Sequence, residues 1–152
     1  MIVVDVSVVA YLLIEGEHTP AAEALYRTDP EWAAPLVWRS EWRSVLRGYL
    51  RRGHLTLAGA LERTGAAQRL TRGREYPVDD ALVLELMSES TCSATSCEYL
   101  ALAETLDVPL VTNDREVLEA FPKRAVSPSA HVRAVGAVSA AAAATAAAVA
   151  RP

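Results

Sequence analysis

The sequence predicts an α/β domain, a three-layer α/β/α sandwich around a central, mostly parallel sheet of four to five short strands. Short apolar runs, such as residues 2–4 and 108–112, alternate with longer segments of helical periodicity. The runs have no polar alternation, as expected of strands buried on both faces of a parallel sheet. Strands that alternate with helices indicate helices on both faces of that sheet.

The first quarter of the chain predicts strand, helix, helix and strand. Residues 2–4 form the first strand, and Ser7 is expected to cap a helix over residues 8–14. A second helix is expected over residues 20–26, because proline is tolerated in the first turn. Residues 34–37 are predicted to form either a second, short strand or an extended segment that leads into the next helix.

The remaining elements follow the same pattern up to residue 126. Residues 75–78 and 108–112 are predicted to be extended. Further helices are predicted over residues 38–52, 55–70, 80–89, 96–106 and 114–121. Residues 127–152 are rich in alanine and poor in bulky apolar side chains, so we expect a frayed or partly helical tail after a domain that spans residues 1–126.

Composition excludes several classes of function. The chain has 152 residues and a formal charge of −4, so it does not hold nucleic acid by general basicity. Any such contact needs a local basic patch or metal ions. Cys92 and Cys97 are too few for a disulfide scaffold and lack the spacing of a zinc site.

The apolar N-terminus resembles neither a signal peptide nor a membrane span. It lacks a basic leading region, and Asp5 interrupts the apolar run early. We therefore interpret it as a buried strand followed by a helix, and we expect a cytoplasmic protein without a membrane partner.

Two acids follow predicted strands directly. Asp5 comes after residues 2–4, and Asp114 comes just after the strand near residue 110. Ligands of open α/β sheets bind at the carboxyl ends of the strands, and two acids at one edge need positive charge to offset their repulsion. For either acid alone, capping of the next helix explains its position equally well.

Glu41 is a third candidate, at the margin of the apolar stripe of the helix over residues 38–52. No basic residue lies three or four positions away, so an ion pair within the helix is excluded. A solvated acid or a weak bridge to another element stays open. Basic residues recur every fourth position on the same helix, at Arg39, Arg43, Arg47 and Arg51. They indicate either a solvated face or a strip beside the cleft that contacts a nucleic-acid phosphate backbone, with Arg39 and Arg43 as the candidate contacts.

Together, Asp5 in the opening DVS, Glu41 in PLVWRSEWRSVLRGYLRRG and the segment SCEYLALAETLDVPLVTND resemble the PIN domain family, in particular VapC-type toxins. The resemblance covers residues 1–126. It implies a PIN-like fold and an endoribonuclease that depends on Mg²⁺ or Mn²⁺, with RNA as substrate, an antitoxin as partner and a homodimer as the assembly.

The resemblance also implies roles for individual residues. Asp5, Glu41 and Asp114 would be catalytic metal ligands. Ser7, Thr112 and Asn113 would form hydrogen bonds to the carboxylates, to metal-bound water or to the scissile phosphate. The implied chemistry needs no nucleophilic side chain, because metal-activated water attacks the phosphate.

One position departs from the family pattern. Ser96 stands where family members carry a further aspartate, three residues ahead of Tyr99. The remaining acids would suffice with water as the missing ligand, or the enzyme would be weak or prefer Mn²⁺. The alternative is a degenerate PIN domain that binds RNA or protein without cleavage. A haloacid-dehalogenase-like enzyme is disfavoured, since it needs Asp-x-Asp after the first strand, where this chain has Asp-Val-Ser.

Overall fold

The computed structural model describes residues 1–149, and their side chains as far as residue 142. The strands are β1 (Ile2–Val4), β2 (Trp32–Pro35), β3 (Glu75–Tyr76), β4 (Leu110–Val111) and β5 (Ala125–Val126). The helices are α1 (Val6–Leu13), α2 (Thr19–Thr28), α3 (Trp38–Arg51), α4 (Leu57–Leu70), α5 (Asp80–Glu89), α6 (Ala94–Leu106), α7 (Arg115–Ala120) and α8 (Pro128–Val149).

The five strands form one parallel sheet in the order β3-β2-β1-β4-β5. Strand order reverses at β1, since β2 and β3 extend the sheet on one side of it and β4 and β5 on the other. Val4 of β1 is in register with Val111 of β4, so both strands end at the same level. The crevice outside these two ends is the topological switch point, where open α/β sheets bind ligands.

Helices cover both faces of the sheet. Right-handed crossovers between parallel strands place α1 to α4 on one face and α5 to α7 on the other. In agreement, α1 contacts α2, α3 and α4, while α6 contacts α5 and the strands β1, β2 and β4. This α/β/α sandwich with a parallel sheet of five short strands is the fold class that the sequence predicts.

Tryptophan side chains fix the orientation of α3. Trp38 and Trp42 are fully buried on one side of this helix. The indole N–H of Trp42 donates to Thr64 Oγ1 of α4 at 3.1 Å, so α3 is held against α4 by packing and by a hydrogen bond. The rotation of α3 about its axis is thereby set, and with it the direction in which Glu41 points.

Several boundaries differ from the prediction. Helix α1 begins at Val6 and is capped by Asp5, not Ser7, because the Asp5 carboxylate accepts the backbone N–H groups of Ser7 and Val8. Strand β2 begins at Trp32 rather than at residue 34. Strand β5 is not predicted, because Ala125 and Val126 lie between Arg124 and Ser127 and are not part of a longer apolar run.

The segment predicted as a frayed or partly helical tail forms α8 over Pro128–Val149. Its first turn packs against α2, where Pro128 and His131 are buried. Residues 133–142 are exposed, and the last predicted tail residues, 150–152, lie outside the described part of the chain. No helix in the described residues has the length and hydropathy needed to cross a membrane.

Candidate active site at the carboxyl edge of the sheet

Asp5 lies directly after β1 at the switch point, held by four donors. Its Oδ1 accepts the backbone N–H of Ser7 at 2.8 Å and that of Val8 at 3.2 Å. The hydroxyls of Ser7 and Thr112 also donate to this carboxylate, one to each oxygen. Asp5 is therefore both the helix cap and a fixed carboxylate at the mouth of the sheet, so the two interpretations of its position are compatible.

Thr112 joins the two strand ends. Its hydroxyl donates to Asp5 and accepts the backbone N–H of Asp114 at 2.9 Å. Asp114 caps α7 by accepting the backbone N–H of Glu116 at 2.9 Å, and its side chain is otherwise exposed. The buried threonine thus fixes the relative positions of the two acids that the sequence predicts at this edge.

Glu41 enters the same region from α3. Its Oε2 accepts the phenolic O–H of Tyr99 at 2.6 Å, across a separation of 58 residues. Tyr99 is only 2% exposed and belongs to α6, on the other face of the sheet. The open question about Glu41 is resolved, because its partner is a neutral hydroxyl on another element and not a cation.

These acids line one cleft of about 310 Å³. The polar lining residues are Asp5, Ser7, Tyr11, Glu41, Ser96, Tyr99, Thr112, Asn113 and Asp114. Every acid and supporting residue predicted for the site is in this set. Among the described residues that line the cleft, none is lysine, arginine or histidine.

Partial burial in this cleft makes Glu41 a weaker acid than a solvated glutamate. Removal from water is the largest effect and raises the pKa of Glu41. The hydrogen bond from Tyr99 opposes this rise, and the negative charges of Asp5 and Glu98 add to it. Burial also raises the pKa of Tyr99, with the Glu41 charge as the next cause, so this tyrosine stays protonated as a donor.

The cleft residues are of the type that binds a hard divalent cation, although their side chains are not already arranged around a common metal position. Within residues 1–149, no group of three His, Cys, Asp or Glu side chains is arranged to hold a metal ion. Mg²⁺ is usually bound by one or two carboxylates, while water and substrate phosphate oxygens complete its octahedron. Asp5, Glu41 and Asp114 in a cleft lined by hydroxyls offer oxygen ligands of that kind.

The supporting residues differ in what they contact. Ser7 and Thr112 bond to Asp5, as the resemblance implies. Asn113 lines the cleft and forms no side-chain hydrogen bond with the part of the chain that the structure describes. Ser96 also faces the cleft, and its hydroxyl is 2.9 Å from that of Ser93, the cap of α6.

The two arginines predicted to be nearest the RNA do not line the cleft. Arg39 binds Glu75 through two bonds, Nε to Oε2 at 2.6 Å and Nη2 to Oε1 at 3.0 Å. Arg43 is exposed, with a contact of 3.5 Å to Ser40. Arg39 is thereby engaged in a structural ion pair, and its contact with RNA stays a prediction.

Sequence reasoning missed two tyrosines of the cleft. Tyr99 and Tyr11 both line the cleft, yet the sequence pattern groups Tyr99 with the apolar residues Leu100, Ala103 and Leu106 of its helix, and it gives no functional signal for Tyr11. The signal for Tyr99 was its phenol, since a buried tyrosine hydroxyl needs a hydrogen-bond partner. A half-buried acid with no basic neighbour on its own helix is such a partner.

Comparison with solved structures shows the same fold in three proteins of low identity. The crystal structure of PAE2754 from Pyrobaculum aerophilum has a TM-score of 0.69 and 20% identity, covering 89% of this chain and 96% of that one. The toxin-antitoxin complex from Klebsiella pneumoniae has a TM-score of 0.61 and 20% identity, covering 84% and 98%. FitAcB from Neisseria gonorrhoeae has a TM-score of 0.63 and 19% identity, covering 84% and 98%.

At the level of sequence, no protein-family model matches the chain. No curated protein matches it significantly either. The comparisons therefore show the fold, and the function is argued from the cleft itself.

Proposed function

We propose that this protein is a metal-dependent endoribonuclease and the toxin of a toxin-antitoxin pair. The observation that carries the proposal is the composition of the cleft. Acids from three separate parts of the chain, Asp5, Glu41 and Asp114, line it at the switch point of the sheet. No basic residue described in its lining compensates their charge, so a divalent cation is the expected counterion.

Asp5, Glu41 and Asp114 would hold Mg²⁺ or Mn²⁺, together with water and a phosphate oxygen of the RNA. A divalent cation held there would lower the pKa of a bound water and offset the negative charge of the phosphate. The chain supplies fixed ligands. Ser7 and Thr112 orient Asp5, and Tyr99 holds Glu41 in place.

The toxin role rests on the fold together with the cleft. Two of the structural neighbours are described as a toxin-antitoxin complex and as FitAcB, and both share this fold over 84% of the chain. An antitoxin that covers the cleft, a homodimer and cytoplasmic action on RNA belong to this proposal.

The test is cleavage of structured RNA by the purified protein with Mg²⁺, with Mn²⁺ or with EDTA. We expect cleavage with metal only, and a loss of at least about a hundredfold in Asp5→Asn and in Asp114→Asn. Asparagine is as good a helix cap as aspartate, so both variants keep their caps and their fold.

Asp107→Asn is the matched control. Asp107 ends α6 at a positive φ of 51°, at the opposite edge of the sheet, and asparagine tolerates that conformation. The control should cleave like wild type. Metal-dependent cleavage that persists in both cleft variants would refute the proposal.

A catalytically silent binding module is the second candidate, and Ser96 is the observation that favours it. Its neutral hydroxyl faces the cleft where the family pattern has a carboxylate. Wild-type protein that binds RNA and leaves it intact with either metal would establish this alternative.

A further inference from the structure

The C-terminal half of α3 carries a second groove, which has no lining residue in common with the acidic cleft. It measures about 560 Å³ and is lined by Ser44, Arg47, Gly48, Arg51 and Arg52. Three of its five lining residues are arginines, and none is acidic. In a chain with a formal charge of −4, this is a local concentration of positive charge.

The charges of these arginines are not compensated by acids in the described part of the chain. Arg47, Arg51 and Arg52 are exposed, and none forms an ion pair with any side chain that the structure describes. Arg39 of the same helix is different, because Glu75 binds it. Three uncompensated guanidinium groups lining one groove repel one another, so an anionic ligand would stabilise the arrangement.

Contacts within α3 define the position of the Arg52 side chain. Gly48 forms part of the floor of the groove, and a Cβ at that position would lie 3.4 Å from Nη1 of Arg52. The guanidinium of Arg52 also lies 5.2 Å from the ring centre of Tyr49, three residues earlier on the same helix. Arg52 thus lies back along the helix, over Gly48 and beside Tyr49.

The groove is continuous with the acidic cleft. A depression of about 450 Å³ between them shares Val6 and Glu41 with the cleft and Ser44 with the groove. Ser40 and Ser44 lie along this depression. With a rise of about 1.5 Å per residue, Arg47 and Arg51 lie about 9 Å and 15 Å beyond Glu41 along the helix axis.

We propose that this groove binds the phosphate backbone of the RNA strand where it leaves the cleft, over the two serines and onto Arg47, Arg51 and Arg52. The inference rests on the proposed function and deepens it, since it defines the substrate as a strand that extends beyond the cleaved phosphate. Several cations along one path suit a polyphosphate chain. Continuity with the cleft favours this occupant over an acidic protein segment.

The test measures binding of a short fluorescent single-stranded RNA in EDTA, where cleavage does not occur, over a range of salt concentrations. The double variant Arg47→Gln, Arg51→Gln should bind about tenfold more weakly. The slope of log K against log salt should become less negative by about 1.4, the value for two lost phosphate contacts on a single strand. Lysine at both positions should restore most of the affinity.

The matched control is Arg69→Gln, Arg72→Gln, which removes the same charge elsewhere. These arginines are exposed and lie near the end of α4, close to Arg74, whose Nε bonds the carbonyl of Trp32 at the opposite edge of the sheet. The RNA affinity of this control variant and the salt dependence of its binding should match those of wild type.

Three results would overturn the inference. One is a groove variant that binds RNA like the control variant. Another is an equal loss in the glutamine and lysine variants, since the effect would then not depend on charge. The third is a groove variant that keeps its RNA affinity but no longer binds a glutamate-rich peptide, which would assign the groove to an acidic protein segment.

Failure of the proposed function gives a different pattern. Wild-type protein that never cleaves RNA with metal, while the groove variant still loses binding, would refute the nuclease and support the groove. Wild-type protein that cleaves RNA with metal, together with a groove variant whose RNA binding is unchanged, would support the nuclease and refute the groove.

Discussion

Two charged side chains at the start of α3 have different kinds of partner. Arg39 and Glu41 are two residues apart, so they point about 200° apart around the helix. Arg39 pairs with Glu75, and this bond lowers the pKa of Glu75. Glu41 instead meets the neutral hydroxyl of Tyr99, and burial raises its pKa. An acid paired with an arginine has its charge compensated within the fold, whereas an acid paired with a hydroxyl keeps a charge available to a ligand.

Glu41→Gln should separate function from stability most strongly. Cleavage should fall at least about a hundredfold with the loss of a ligand. The folded protein should become more stable at neutral pH in metal-free buffer, because the raised pKa of Glu41 means that its ionised form opposes folding. This gain should shrink as the pH falls and Glu41 takes up a proton in the folded state. Thermal unfolding at several pH values and an RNA cleavage assay measure both effects.

Glu98→Gln is the control for that variant. Burial and the charge of Asp80 also raise the pKa of Glu98, but this acid is not among the residues that line the cleft. It should gain stability at neutral pH and retain cleavage. A loss of cleavage equal to that of the Glu41 variant would show that reduced negative charge in general, and not the cleft ligand, limits the activity.

Tyr99→Phe removes the partner on which Glu41 depends. We expect the free energy of unfolding to drop by about 2 kcal/mol, the value of a hydrogen bond to a charged group. The loss should nearly vanish when the change is made in the Glu41→Ala background, a result that a double-mutant cycle measures by denaturant unfolding. Tyr26→Phe is the control, since Tyr26 is 38% exposed and no hydrogen bond holds its hydroxyl among the described residues. Equal losses in the two single tyrosine variants would contradict the pairing.

Ser96→Asp should strengthen metal binding, because it adds a fourth acid to a cleft whose acids have no basic partner among the described lining residues. Ser96 is the third residue of α6, where a negative charge favours the helix dipole, so the variant should fold. We expect Mn²⁺ affinity to rise about tenfold, the scale on which a single site partner acts. Ser93→Asp places the same charge at the cap of the same helix, outside the cleft lining, and should leave affinity unchanged. Calorimetric titration that finds no gain in the Ser96 variant would place this residue outside the metal site.

Arg39→Gln should have the smallest effect and the opposite dependence on pH. Loss of this partly exposed ion pair should cost about 0.5–1 kcal/mol of unfolding free energy at neutral pH. Because the folded pKa of Glu75 is lowered, the wild-type advantage is present above the ordinary value of 4.5 and disappears as the pH falls through the lowered value. Arg43→Gln, one turn further along α3, is the control and should leave the unfolding free energy nearly unchanged at any pH. An unfolding free energy of wild type that exceeds that of Arg39→Gln by more in acid than at neutral pH would contradict the account.

The sequence predicts the parts of this molecule that depend on local pattern. Strands β1 and β4 are short apolar runs, and parallel strands end at one edge, so the meeting of Asp5 and Asp114 in one cleft followed from their positions. The Glu41–Tyr99 bond could not be read locally, because its partners are 58 residues apart. The packing of α8 against α2 could not be predicted either, because its alanine-rich composition does not indicate that His131 is buried.

The cap of α1 shows where local sequence leaves two assignments open. Both acceptors of the opening Asp-Val-Ser can cap a helix, and the sequence offers Ser7 for a helix that begins at residue 8 and Asp5 as an alternative to metal binding. In the structure the register of β1 with β4 fixes Asp5 at the strand end, where its carboxylate reaches the first helical N–H groups. Tertiary pairing, which the local sequence does not contain, decided between them.

The central claim is that the acids of the cleft share a divalent cation, and calorimetric titration of the purified protein with MnCl₂ and MgCl₂ tests it most directly. We expect saturable binding to wild type, loss of that binding in Asp5→Asn, and wild-type behaviour in Asp107→Asn. Wild-type protein that binds neither ion, or an Asp5→Asn variant that binds as tightly as wild type, would contradict the claim.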